Sequence, residues 1–267
     1  MDDYTKIGWA RAELENHKCV FIDKTGKIML EQPDVNYCGV FSYSSDFADI
    51  IKGDFKHGLI DKTGKIVVEP KFDAIEWHPF IFSDLAHVTL NDKYGSIDKT
   101  GKIVIEPQFE TIYDFYPGED LASVRKNGKY GFIDRTGKMV IEPKYEGAGN
   151  FYTNDWVAVR THGKWGAIDK TGKMVIEPKY QGINIISNDY IILDLNKKES
   201  TLVNAKLEPI LDSKYYFINL IPNTQDVFLT KTKIKKHKYE YGIFANGKHT
   251  VLKNVDFVES YFFNSTF

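Results

Sequence analysis

The feature that most constrains this chain is a unit it repeats almost word for word: Gly131-Phe132-Ile133-Asp134-Arg135-Thr136-Gly137-Lys138-Met139-Val140-Ile141-Glu142-Pro143-Lys144-Tyr145. Close copies start at Gly58, Gly95 and Gly166, a truncated copy runs from Val20 to Glu31, and eroded copies align near Thr201 and Gly242. The aspartates before the turn, Asp23, Asp61, Asp98, Asp134 and Asp169, lie 38, 37, 36 and 35 residues apart, and Asn204 follows after another 35. A fixed period of this size means that each unit is one supersecondary piece. Such a piece cannot bury its apolar face alone and is stabilised by its neighbours.

The repeat also limits the domain organisation. The 267 residues read as a single β domain, 1-267, with clear repeats at about 47-180, a truncated repeat at about 10-46 and degenerate repeats at about 181-267. The hydrophobic fraction of 42%, with 14% aromatics, is ample for a packed core. A formal net charge of -2 provides no global field for nucleic acid or an anionic membrane, so general nucleic-acid binding is not expected and any charged site is local. The start, Met1-Asp2-Asp3-Tyr4-Thr5-Lys6, leads into no apolar stretch of signal-peptide length, and no run of about 18 apolar residues occurs; a cytoplasmic chain without a transmembrane segment is expected. Cys19 and Cys38 have no metal-ligand spacing and are expected to be reduced packing residues, Cys19 standing where other repeats have Tyr94, Tyr130 and Trp165.

One unit reads as three strands. Leu121 to Arg125 mixes apolar and polar residues, Asn127-Gly128 signals a tight hairpin, and Lys129 to Ile133 returns. Asp134-Arg135-Thr136-Gly137 fits a type I turn followed by a left-handed glycine. Lys138 to Glu142 forms the third strand, which Pro143 is expected to end. Its apolar residues face both ways, Met139 and Ile141 opposite Val140, so both sides should be covered. An aromatic follows each Glu-Pro, then a variable connection of about ten residues in which a short fourth strand would fit. The glycines at 58, 95, 131, 166 and 242 mark close approach of another backbone or ring.

Tyr-Gly or Trp-Gly followed by Phe-Ile-Asp-Arg-Thr-Gly-Lys-Met-Val-Ile-Glu-Pro-Lys-Tyr resembles the WG-repeat family of bacterial β-repeat proteins, over most of residues 10 to 250. Before the repeat glycine Trp itself stands only at Trp165, with Tyr, His57 or Cys19 in other copies; the sixth copy shortens its turn to Asn204-Ala205-Lys206, and the seventh replaces it with Asn246-Gly247. The resemblance implies an all-β array with a binding or scaffolding role and brings no catalytic residues with it. The expected fold is therefore all-β, a tandem array of about seven antiparallel units of 35-38 residues. An open β-superhelix is favoured over a propeller-like ring, because 35 residues is short for four full strands.

The Asp-Lys-Thr-Gly-Lys turns supply one carboxylate beside two cations, unlike a calcium loop or a phosphate cradle, and turn chemistry accounts for each residue. Glu69, Glu106, Glu142 and Glu177 recur one per repeat and read as solvent-exposed, ion-paired strand ends rather than acid/base pairs. The histidines, at 17, 57, 78, 87, 162, 237 and 249, share no spacing. No catalytic residue, metal site or cofactor is expected.

Two irregularities are better candidates, because function is grafted where a repeat fails. One is a basic hairpin carrying Lys231, Lys233, Lys235, Lys236 and Lys238, suited to a local anionic contact. The other is the aromatic content of the variable loops, including Trp77, Tyr113, Tyr116, Tyr152 and Trp156, which either fill seams between sheets or line a groove. The chain thus reads as a non-catalytic module that binds another macromolecule, a protein first, through the face or groove of the array. A carbohydrate or cell-envelope binder is the alternative, and an uncharacterised hydrolase the third reading.

Overall fold

The computed structural model describes residues 8-15, 18-32, 35, 37-41, 46-76, 84-151, 155-187, 189-211, 214-224, 226-235 and 238-253. Among them there is no helix, and the strands form seven antiparallel sheets in tandem. The first sheet holds β1 (Trp9–Glu13), β2 (Cys19–Asp23) and β3 (Ile28–Gln32); the second holds β4 (Tyr37–Cys38), β5 (Phe47–Lys52), β6 (Lys56–Asp61) and β7 (Ile66–Phe72). The third is β8 (Ala74–Ile75), β9 (Leu85–Leu90), β10 (Lys93–Asp98) and β11 (Ile103–Phe109), and the fourth β12 (Thr111–Ile112), β13 (Leu121–Lys126), β14 (Lys129–Asp134) and β15 (Met139–Tyr145). The fifth is β16 (Gly147–Ala148), β17 (Trp156–Thr161), β18 (Lys164–Asp169) and β19 (Met174–Tyr180). The sixth has β20 (Gly182–Ile185), β21 (Ile191–Asn196) and β22 (Glu199–Val203), and the seventh β23 (Phe217–Leu220), β24 (Phe228–Lys235), β25 (Lys238–Ala245) and β26 (Lys248–Val251).

Most units therefore have four strands, and the short fourth one stands directly after the aromatic rather than within the variable loop. A single residue, such as Asp73 or Glu110, separates the last strand of one sheet from the first strand of the next. That residue also fastens the new sheet. Asp73 accepts from the Asn91 amide at 2.6 Å, Glu110 from Gly128 at 3.1 Å, and Glu146 from His162 and Gly163 at 3.1 and 2.8 Å. Each thereby caps the hairpin turn, whose two residues sit at positive φ, for example Asn127 at 53° and Gly128 at 74°.

The repeated aspartate turn closes as its residues dictate. In Asp134-Arg135-Thr136-Gly137, Asp134 Oδ1 accepts from the Thr136 amide at 2.9 Å, the Thr136 hydroxyl at 2.6 Å and the Lys138 amide at 3.1 Å. Gly137, at φ 83°, donates its amide to the Asp134 carbonyl. The sixth copy is not shortened, contrary to the sequence expectation. Asn204 Oδ1 accepts from Lys206 and Glu208 at 2.9 and 3.0 Å, and Leu207 takes the glycine place at φ 62°. A neutral amide oxygen satisfies the same two backbone donors, so the turn keeps its length while losing its motif.

Pro143 does not end the third strand, which runs on to Tyr145. In three of the equivalent pairs the register slips around the Glu-Pro, as between Tyr94↔Phe109 and Ser96↔Ile105, so the proline sits in a bulge where no ladder amide is needed. The bulge explains the glycine opposite it. A Cβ at Gly131 would lie 2.5 Å from the Ile141 carbonyl oxygen and 2.8 Å from the Pro143 nitrogen, and Gly58, Gly95 and Gly166 are crowded in the same way. Val140 corrects another expectation: it is 45% exposed, on the edge strand of its sheet, so only the Ile141 side is fully buried there.

By contacts the chain forms two compact units, residues 1–144 and 145–267. In the first, the core lies in the seams between consecutive sheets. Leu59, Val68 and Phe72 pack with Ala86, Val88 and Ile97, and Ile105 and Phe109 pack with Ile112, Phe115, Val124 and Ile133. Burying each of the larger of these side chains, Val, Leu, Ile and Phe, is worth about 1.5–3 kcal/mol. Cys19 of β2 and Cys38 of β4 lie in the first seam with Cα atoms 6.1 Å apart, and their sulfurs are joined as a disulfide. This corrects the expectation of reduced thiols: the fold brings together two residues 19 apart in sequence, at a separation a disulfide spans without backbone movement. In the second unit, Ala167, Ile176 and Tyr180 pack with Ile191, Leu193 and Val203, and Ile192 and Leu202 with Ile218, Phe228 and Phe244.

Candidate functional site

Two sets of repeated acids are structural, and a third set is exposed. The turn aspartates are spent on their own backbone. Asp61, Asp98 and Asp169 are held below the usual aspartate value of 3.8, chiefly by the hydroxyls of Thr63, Thr100 and Thr171. At Asp134 burial pushes upward most strongly, yet the hydrogen bonds from Thr136 and Lys138 together keep the carboxyl low. The acids that cap hairpin turns are engaged as described. Glu69, Glu106, Glu142 and Glu177 are exposed, and Lys71 and Lys179 lie over the rings of Phe72 and Tyr180 at 5.1 and 5.4 Å, covering aromatic surface.

The loop aromatics divide by burial. Phe115 and Phe151 are fully buried, whereas Tyr113, Tyr116 and Trp156 are half-buried. Arg135 lies over the Phe115 ring at 5.2 Å and donates to the Glu119 carbonyl at 2.9 Å, pinning that loop to the turn below. Trp77 and Tyr152 lie outside the described residues, as does Lys236.

The basic hairpin stands out from the repeat. β24 and β25 are each eight residues long, against six for the corresponding strands of sheets two to five, so their far ends extend past the repeat's normal turn. The register pairs Lys231 with Tyr241 and Lys233 with Tyr239, then shifts before Lys235↔Lys238. Directly opposed residues share a face, so two lysines of β24 stand opposite two tyrosines of β25 on one side of the ribbon. Lys231 Nζ lies 4.1 Å from the Tyr239 ring centroid, 5.4 Å from Tyr241 and 5.9 Å from Tyr216. Tyr216 and Tyr239 are themselves in contact, with centroids 5.4 Å apart.

These distances separate the predicted lysines into two roles. Lys231 is half-buried and its ammonium is shared by three ring faces, so it builds the surface instead of projecting from it. Lys233, Lys235 and Lys238 are exposed beyond it. The tyrosine cage was missed in the sequence because Tyr216 lies just before β23, far from Tyr239 in the chain, and meets it only in the folded sheet. The one available signal was Tyr239-x-Tyr241, the same-face spacing of a strand.

The fold and these surfaces define a class, tandem antiparallel β-repeat proteins whose repeated polar residues fasten turns. A family model for the WG containing repeat matches residues 58–94, 94–130, 130–165 and 165–198. The chain belongs to this WG-repeat family. No curated protein matches it significantly. Among solved structures it is similar to Kluyveromyces lactis Hsv2p, at 11% identity and TM-score 0.41 over 88% of this chain and 89% of that one. It is also similar to BamB from Moraxella catarrhalis, at 14% identity and TM-score 0.34 over 85% and 80%. Similarities at this level carry no functional argument. No described helix is long and apolar enough to cross a membrane.

Proposed function

We propose that this chain is a non-catalytic binding module that docks an acidic surface of a protein partner on the lysine–tyrosine face of β24–β25. The observation that carries the reading is the hairpin that outgrows its sheet. Three exposed lysines stand on a ribbon whose shape is fixed by Lys231 caged among Tyr216, Tyr239 and Tyr241. Rigid aromatics ordered by a half-buried cation present contact area at little entropic cost, and the lysines steer an anionic partner. The rest of the array supports a scaffold role, since its turn aspartates and the acids that join consecutive sheets are consumed by turns.

Affinity capture from the native host, with the wild-type chain and a variant carrying Lys233→Gln, Lys235→Gln, Lys236→Gln and Lys238→Gln, tests the reading. The expected result is a partner retained at low salt, released at high salt and absent from the variant's capture. Equal capture by both chains overturns it.

A further inference from the structure

The third sheet departs from the repeat at several positions at once. His87 of β9 stands opposite Ser96 of β10. The same pair is Asp49 and Leu59 in the second sheet, Ser123 and Phe132 in the fourth, and Ala158 and Ala167 in the fifth. At this pair position, among the second to fifth sheets, only the third sets an imidazole against a buried hydroxyl, with His87 Nδ1 3.0 Å from Ser96 Oγ. On the other side of His87, the Glu76 amide donates to the His87 carbonyl at 3.0 Å, placing Glu76 beside it where the neighbouring sheets have Gly39, Tyr113 and Gly149. Asp114 arrives from the next sheet, just after β12.

One ligand atom from each of Glu76, His87 and Asp114 lies within 4.8 Å of the others. His87 Nε2 is 3.1 Å from Asp114 Oδ1, yet that nitrogen is buried and the approach lacks hydrogen-bond geometry. We propose that Glu76, His87 and Asp114 bind one divalent transition-metal ion of the zinc class. In the metal-bound state Nδ1–H would donate to Ser96 Oγ, 3.0 Å away, leaving the Nε2 lone pair for the ion, so a partner able to orient a ligating imidazole is already in place. Two carboxylates balance the ion's charge, and the mixed nitrogen–oxygen set favours zinc-like ions over magnesium or calcium, which prefer oxygen alone. Three protein ligands leave a coordination position open, and the ion would tie the third sheet to the fourth.

The test uses the metal-stripped full chain, titrated by calorimetry with Zn2+ and by absorption with Co2+ as spectroscopic probe, with Mg2+ and Ca2+ as controls. The expected result is one Zn2+ per chain, a Co2+ visible band and a melting temperature raised by Zn2+. Glu76→Gln and His87→Gln should each abolish the band. Ser96→Ala should weaken Zn2+ about tenfold while keeping the one-to-one stoichiometry, as loss of an orienting partner does. Absence of saturable Zn2+ binding overturns the proposal. So does binding unchanged by Glu76→Gln, or Mg2+ or Ca2+ bound as tightly as Zn2+. Should His87→Gln fail to fold, Glu76→Gln decides, since Glu76 is half-buried and outside the hydrophobic seams.

Discussion

At the scale of single residues, the repeat works through oxygen atoms that collect backbone donors. Asp23, Asp61, Asp98, Asp134 and Asp169 are all held below their ordinary value, so their contribution to stability is present above the unfolded-state pKa and is lost as pH falls through the folded one. Asp49 acts with the opposite sign, because desolvation beside His57 pushes its carboxyl up. With Asp73 also held low, chiefly by its hydrogen bond from Lys56, six depressed groups outweigh one raised group, so the melting temperature should fall as pH drops from about 5 to about 2. Asn204 shows that an amide oxygen closes the same turn. Asp134→Asn should therefore fold normally and flatten part of that acid loss in a pH series of melts; an undiminished slope would mean that the acid response arises elsewhere. The chemistry of these turns was legible in the sequence, since Asp, Thr and Gly each have one job there. Leu207 was not, because nothing local announces a leucine in the left-handed region.

At the scale of the element, the Gly–Glu-Pro pair is one device. The bulge that accommodates Pro143 drives the Ile141 carbonyl towards Gly131, leaving no room for a side chain. Gly131→Ala should destabilise the chain by about 3 kcal/mol, the range of backbone clashes in a packed core. Gly128→Ala, at φ 74° with open space around it, should cost only about 1–2 kcal/mol. Urea midpoints of the two variants provide the comparison, and equal losses would remove the bulge argument. Close approach at this glycine was readable from the repeat, but its cause was not. Proline at a strand position reads as a terminator, and only the paired strand reveals that the ladder continues past it. Val140 teaches the same point from the other side, because alternation specifies two faces without saying which will find a neighbour.

At the scale of the whole molecule, stability is held in seams between sheets, with one covalent tie in the first of them. A bridge closing a loop of this length contributes about 3 kcal/mol. Reductant, or Cys38→Ala, should lower the thermal midpoint, while wild type in oxidant keeps it; a melt indifferent to reductant would assign both cysteines to packing alone. By itself the sequence determined the all-β class, the period, the turn chemistry and the family, because these depend on residues within one period of each other. Only the tertiary structure decided that Cys19 meets Cys38, that Lys231 is enclosed by three tyrosines, and that Glu76, His87 and Asp114 converge. Each of those meetings joins different strands or different sheets. A repeat specifies what every unit shares, whereas which odd residues face one another across a seam depends on how the units pack.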